Sequence, residues 1–158
     1  MTAPLPSSPA APLTTDILLV EDNALEVELT LRPLRELVPD GRIEVARDGE
    51  EALDFLLGRG TFRHRLAVPL PRLVLLDLQL PKLDGLDVIR GVRGNARTRM
   101  VPIVVLTSSN DPRQLAQCYQ LGVNSCVQKP VKYEDFSATI QTVAGYWLAF
   151  NQAPPASA

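Results

Sequence analysis

The stretch LVLLDLQLPKLDG, residues 73–85, sets four apolar residues against a carboxylate and follows it at once with turn-forming residues. A short run that is apolar throughout reads as a strand covered on both faces, the situation in a parallel sheet held between helices. PKLDG already supplies the turn chemistry, so Asp77 stands at the end of a buried strand with no evident structural task. Outward from this segment, short runs of the same kind alternate with longer amphipathic ones, the pattern of repeated βα units. DILLV (16–20), IEVA (43–46), LVLL (73–76), PIVVL (102–106) and SCVQ (125–128) predict five strands. Helices are predicted between and after them over 24–37, 49–57, 85–93, 112–121 and 133–150, with Pro33 expected to kink the first or mark its last turns. The stretch 57–72, with Gly, Pro and four arginines, is long for a helix-to-strand connection and is expected as a surface loop, its lone His64 solvated.

Composition narrows the function classes. The chain has 158 residues, 46% hydrophobic and 22% charged, as expected for one ordinary globular domain. That domain is expected over 15–150, between disordered tails, 1–14 and 151–158, that are rich in Pro, Ser and Ala. The net charge is −2 and the 16 basic residues are scattered, so no nucleic-acid or membrane partner is expected. The head lacks the basic and apolar regions of a signal peptide, and the longest apolar runs are too short to span a bilayer. Two cysteines, Cys118 and Cys126, suit a reducing compartment better than a disulfide framework, and a cytoplasmic location is expected.

In an open parallel sheet, ligands bind at the carboxyl ends of the strands. The residues there are Glu21 and Asp22 after the first strand, Asp77 after the third, Thr107 and Ser108 after the fourth, and Lys129 and Pro130 after the fifth. Three crowded carboxylates repel one another unless a cation neutralises them, and hard oxygen donors suit Mg²⁺. A lysine and a threonine hydroxyl beside them are arranged to receive an anion with several oxygens, and phosphoryl fits best. Asp77 can then attack phosphorus as a nucleophile, with Mg²⁺ and Lys129 neutralising the transferring group. Each residue also has an ordinary alternative: Asp22 or Asn23 as a helix cap, Lys129 as a turn residue, Thr107 as the start of a capping series ending at Ser109, Asn110 or Asp111. Those alternatives would have to hold together at four strand ends.

ILLVEDN, LVLLDLQLPKLDG, PIVVLTSS and VQKPV, in this order and each at a strand end, closely resemble the receiver domain of two-component response regulators. The resemblance runs from Asp16 to about Phe150 and implies a flavodoxin-like (βα)5 fold, doubly wound around a parallel five-stranded sheet of order 2-1-3-4-5. It makes Asp77 the phosphoacceptor and a metal ligand, Asp22 a direct Mg²⁺ ligand, Glu21 a ligand through water, and the Gln79 backbone carbonyl a further ligand. Thr107 would bind a phosphoryl oxygen and move on phosphorylation, Lys129 would pair with the phosphoryl group, and the Lys129–Pro130 bond would be cis. Many receivers carry Tyr or Phe where this chain has Cys126, which removes the usual aromatic part of the switch. The long connection before the third strand and the closing GYWLAF resemble single-domain response regulators paired with bacterial and cyanobacterial phytochromes. The implied partner is a phytochrome-type histidine kinase, and the protein is expected not to be an enzyme beyond its own phosphorylation and dephosphorylation.

Nothing after Phe150 is expected to fold, so output should pass by docking or by a change of assembly. Phe136, Ile140, Val143, Trp147 and Phe150 fall at helical spacing as a core stripe, while Tyr146 and Leu148 fall off it. Exposed aromatics there predict a homodimer through the fourth and fifth helices. The competing readings are a receiver-like module that never accepts phosphate and a Mg²⁺-dependent phosphohydrolase. The hydrolase is disfavoured because Gln79 stands where such enzymes commonly place a second acid.

Overall fold

Leu, Ile and Val pack well on a pleated surface, and they build the sheet. The computed structural model describes residues 14–39 and 42–155, so the expectation for the head falls almost wholly outside the described residues. The strands are β1 (Ile17–Val20), β2 (Ile43–Ala46), β3 (Leu73–Asp77), β4 (Ile103–Thr107) and β5 (Ser125–Gln128). The helices are α1 (Ala24–Arg35), α2 (Gly49–Leu57), α3 (Gly85–Arg93), α4 (Pro112–Gln120) and α5 (Tyr133–Gly145). All pairings are parallel and the order is β2-β1-β3-β4-β5, the doubly wound, flavodoxin-like topology expected. Asp77 and Thr107 are the last residues of their strands, one position deeper in the sheet than the apolar runs alone suggested.

Alternate side chains go to opposite faces. Leu18, Val20, Val74, Leu76, Ile103 and Val105 meet α2, α3 and α4. Ile17, Leu19, Leu73, Leu75, Val104 and Leu106 meet α1 and α5. Both faces are therefore covered, which is why the strands read as unbroken apolar runs.

Short acidic and amide side chains set the helix starts. Asn23 Oδ1 accepts from Glu26 N at 3.0 Å, Asp48 from Glu51 N at 2.7 Å, Asp84 from Asp87 N at 2.9 Å and Asp111 from Arg113 N at 3.0 Å. Asn23 and Asp111 thus do the capping, and Asp22 and Thr107 do not. Helix α1 ends at Arg35, two residues before its predicted end, because Pro33 sits in its last turn without an N–H to donate.

Three expectations are corrected. The 57–72 stretch is not merely a surface loop: Gly60–Ala67 forms 3₁₀ turns, and Arg65 is buried with its guanidinium 4.1 Å from the Phe55 ring centre. His64 is exposed, as expected. Second, α5 does not run regularly to Phe150 but widens into a π-helical turn, Tyr146–Phe150, closed by Asn151 N donating to Tyr146 O at 2.9 Å. The wider turn shifts the stripe, so Leu148 packs against the core and Phe150 is exposed, while Tyr146 stays exposed. Third, no cis peptide occurs among the described residues, so Lys129–Pro130 is trans, the form that X–Pro bonds favour intrinsically. At the other end of the chain, Ala153, Pro154 and Pro155 border a cavity of about 500 Å³ at the amino end of the sheet, so this part of the expected tail lies along the body. No helix among the described residues is long and apolar enough to cross a membrane.

Candidate functional site

Three strand ends converge on one charged cluster. Glu21 follows β1, Asp77 ends β3 and Lys129 follows β5, its N–H donating to Thr107 O at 2.7 Å so that the lysine loop is tied to the end of β4. Lys129 Nζ lies 2.5 Å from Asp77 Oδ2, 3.1 Å from Glu26 Oε2 and 3.3 Å from Glu21 Oε1. Carboxylate oxygens of Glu21, Glu26 and Asp77 all lie within 4.8 Å of one another. The side chains of Glu21, Lys129 and Asp77 are only 6%, 12% and 13% exposed, whereas Glu26 at the rim is 45% exposed.

One ammonium cannot neutralise this set. Burial, the hydrogen bond with Glu26 and the charge of Asp77 together push the Glu21 carboxyl up to about 8. The same Glu21 hydrogen bond, followed by that to Lys129, holds Glu26 below its ordinary value. Burial alone would lower the Lys129 ammonium, yet its hydrogen bond and charge interaction with Asp77, with help from Glu21 and Glu26, hold it above its ordinary range. The raised Glu21 carboxyl reflects burial and a surplus of negative charge in the cluster, and the donors are hard oxygens. Both facts fit Mg²⁺ or Mn²⁺.

Glu26 is the member that sequence reading missed. Asn23-Ala24-Leu25-Glu26 has the spacing of a capping box, which gives a glutamate a local reason to be there. Asn23 does cap, but the Glu26 carboxylate turns to Lys129 instead. Asp22 is exposed beside Glu21 and stands outside the carboxylate trio, its N–H donating to Glu21 Oε2 at 3.0 Å. Gln79 is also exposed, and its N–H donates to Asp77 Oδ1 at 2.7 Å, so one oxygen of Asp77 does have a local structural role. Gly85 lets this turn close: a Cβ there would lie 2.5 Å from Leu78 Cα and 2.8 Å from Asp77 O. Thr107 Oγ1 accepts from Ser109 N at 3.0 Å and Thr107 lines a cavity of about 210 Å³, with Leu115, Cys118 and Cys126 among the other walls. Burial pushes the Cys126 thiol up to about 12, with the neighbouring Cys118 adding to the shift.

The family model for the response regulator receiver domain matches residues 17–141. The chain belongs to the receiver domain family. Among relatives of this receiver, the probable methanogenesis regulatory protein FilR2 of Methanothrix harundinacea is 44% identical over 139 residues, covering 87% of this chain and 86% of that protein. The manganese-bound form of response regulator Rcp1, a Synechocystis protein, matches with a TM-score of 0.79 at 33% identity, over 88% of this chain and 98% of Rcp1. The bacteriophytochrome response regulator AtBRR matches with a TM-score of 0.69 at 42% identity, over 91% of this chain and 99% of that one. The receiver is thus similar to phytochrome response regulators in sequence and in fold.

Proposed function

We propose that this receiver is a single-domain response regulator that takes a phosphoryl group onto Asp77 from a phytochrome-type histidine kinase. The observation that carries the reading is Lys129 Nζ held 2.5 Å from Asp77 Oδ2 within a cluster whose carboxylates outnumber its cations. An Asp77 oxygen attacks phosphorus, the P–N bond to the kinase histidine breaks, and the imidazole leaves with the electron pair and takes a proton from solvent. Lys129, already on the reacting carboxylate, follows the charge onto the phosphoryl oxygens. Thr107, at the end of the adjacent strand, offers its hydroxyl to one of them. Water later attacks the acyl phosphate, releasing inorganic phosphate and restoring the Asp77 carboxylate.

Glu21, Asp22, Asp77 and the Gln79 backbone carbonyl would hold Mg²⁺. When bound there, the ion would supply positive charge against the phosphoryl oxygens. The manganese-bound Rcp1 structure supports such a site in a relative. Incubation with acetyl phosphate and Mg²⁺ tests the reading: one hydroxylamine-sensitive phosphoryl adduct is expected, absent in Asp77→Asn. Rapid multiple turnover of a phosphate ester would instead indicate a hydrolase, and no reaction an inert module.

Output, in this reading, passes through a homodimer on the α4 and α5 face. Leu115 and Tyr119 on α4, with Tyr146 and Phe150 on the terminal turn, are exposed apolar groups that support it. Sedimentation should show a dimer at micromolar concentration; a monomer, phosphorylated or not, contradicts it.

A further inference from the structure

Glu26 occupies a position that neither helix capping nor the strand-end pattern explains. Its carboxylate lies 3.1 Å from Lys129 Nζ, it is half exposed, and it lines a cavity of about 250 Å³ shared with Ser108, Lys129, Val131 and Tyr133. The Glu26 carboxylate also lies within 4.8 Å of that of Asp77 and shares Lys129 Nζ with it. A donor brought to Asp77 therefore comes within range of the Glu26 charge, and the lysine it meets is already engaged by that charge.

We propose that Glu26 is a donor-selecting residue, a rim carboxylate that discriminates against anionic acyl phosphates and favours imidazole-borne phosphoryl groups. The inference rests on Asp77 being the phosphoacceptor. An acyl phosphate offers only oxygens on its leaving side, so Glu26, this close to Asp77, repels it there. A phosphoimidazole carries a second ring nitrogen that takes up a proton near neutral pH and donates a hydrogen bond, which the Glu26 carboxylate accepts. Selection of this kind is a difference between two donors, built as much from repulsion of one as from attraction of the other. The reaction itself is unchanged: with either donor, Asp77 Oδ forms the bond to phosphorus and the leaving group departs with its electron pair.

The test compares acetyl phosphate with phosphoimidazole as donors, with saturating Mg²⁺, in the wild-type chain, Glu26→Gln and Glu26→Asp. Glu26→Gln is expected to raise the second-order rate constant for acetyl phosphate by roughly three- to tenfold, the size of one screened charge at this range. The constant for phosphoimidazole should stay level or fall, and Glu26→Asp should restore the wild-type ratio. An equal change for both donors overturns the proposal, as does weakened Mg²⁺ affinity in Glu26→Gln, which would make Glu26 a metal ligand. Failure of both donors on the wild-type chain overturns the phosphoacceptor reading itself, and this inference with it.

Discussion

The two ends of the sheet carry charge in opposite ways. At the amino end, arginines are consumed by the backbone. Arg93 donates to the carbonyls of Gly122, Arg99 and Val101 at 2.8, 3.0 and 2.7 Å and to Asn124 Oδ1 at 3.0 Å. Arg97 donates to Leu56 O at 2.6 Å and Arg65 O at 2.8 Å, Arg72 donates to Leu148 O, and Arg42 pairs with buried Asp16 at 2.9 Å. Each guanidinium there ties the end of a helix or loop to its neighbour. At the carboxyl end, three carboxylates share one lysine, so among the described residues the negative charge is in surplus. A charged group matched to carbonyls is structural; a charged set left in surplus marks a candidate functional site.

Removing charge at the two ends should therefore differ in sign, whereas disturbing the backbone should cost stability at either. The largest effect is expected for Arg93→Ala, which strips three backbone carbonyls of their donor. It should lower unfolding stability by about 2–3 kcal/mol in urea titration while leaving Asp77 phosphorylation intact. Gly85→Ala should cost about 1–3 kcal/mol through the clash with Leu78 and Asp77 backbone, and here phosphorylation should fall with it, since the same turn carries Asp77. Glu21→Gln should do the reverse and stabilise the metal-free protein by on the order of 1 kcal/mol, because it relieves repulsion, yet weaken its response to Mg²⁺. Arg90→Ala, which breaks only an exposed pair with Asp87, should change stability by less than about 0.5 kcal/mol.

The surplus also sets a pH dependence. The Glu21 carboxyl stands at about 8 in the folded chain against 4.5 unfolded, so the folded state binds the extra proton between those values. Stability associated with that proton is complete below about pH 4.5 and lost as pH rises through about 8. Metal-free protein should accordingly lose stability across this window in denaturant titrations, and Glu21→Gln should flatten the loss. A wild-type profile that rises from pH 5 to 8.5 would contradict the charge surplus.

Much of this contrast was legible in the sequence, for physical reasons. Strands buried on both faces leave unbroken apolar runs, and the carboxyl ends of such strands are where chemistry collects, so Glu21, Asp77, Thr107 and Lys129 could be read from position alone. Glu26 could not, because its spacing from Asn23 imitates a capping box. The amino-end arginines could not either: a guanidinium that bonds to carbonyls depends on which loops meet in space, and in sequence Arg93 and Arg97 look like ordinary surface charges. The π-helical turn at Tyr146–Phe150 was hidden because its apolar residues fit a 3.6-residue period until the wider turn displaces them.

The most direct test is the melting temperature of EDTA-treated protein as Mg²⁺ and then beryllium fluoride are added, in the wild-type chain and in Asp77→Asn. The wild-type chain should gain stability in two steps, with the second step absent from Asp77→Asn. A wild-type chain indifferent to both additions, or an identical response in the two chains, would contradict the assignment of the carboxyl-end cluster as a cation-dependent phosphoryl site.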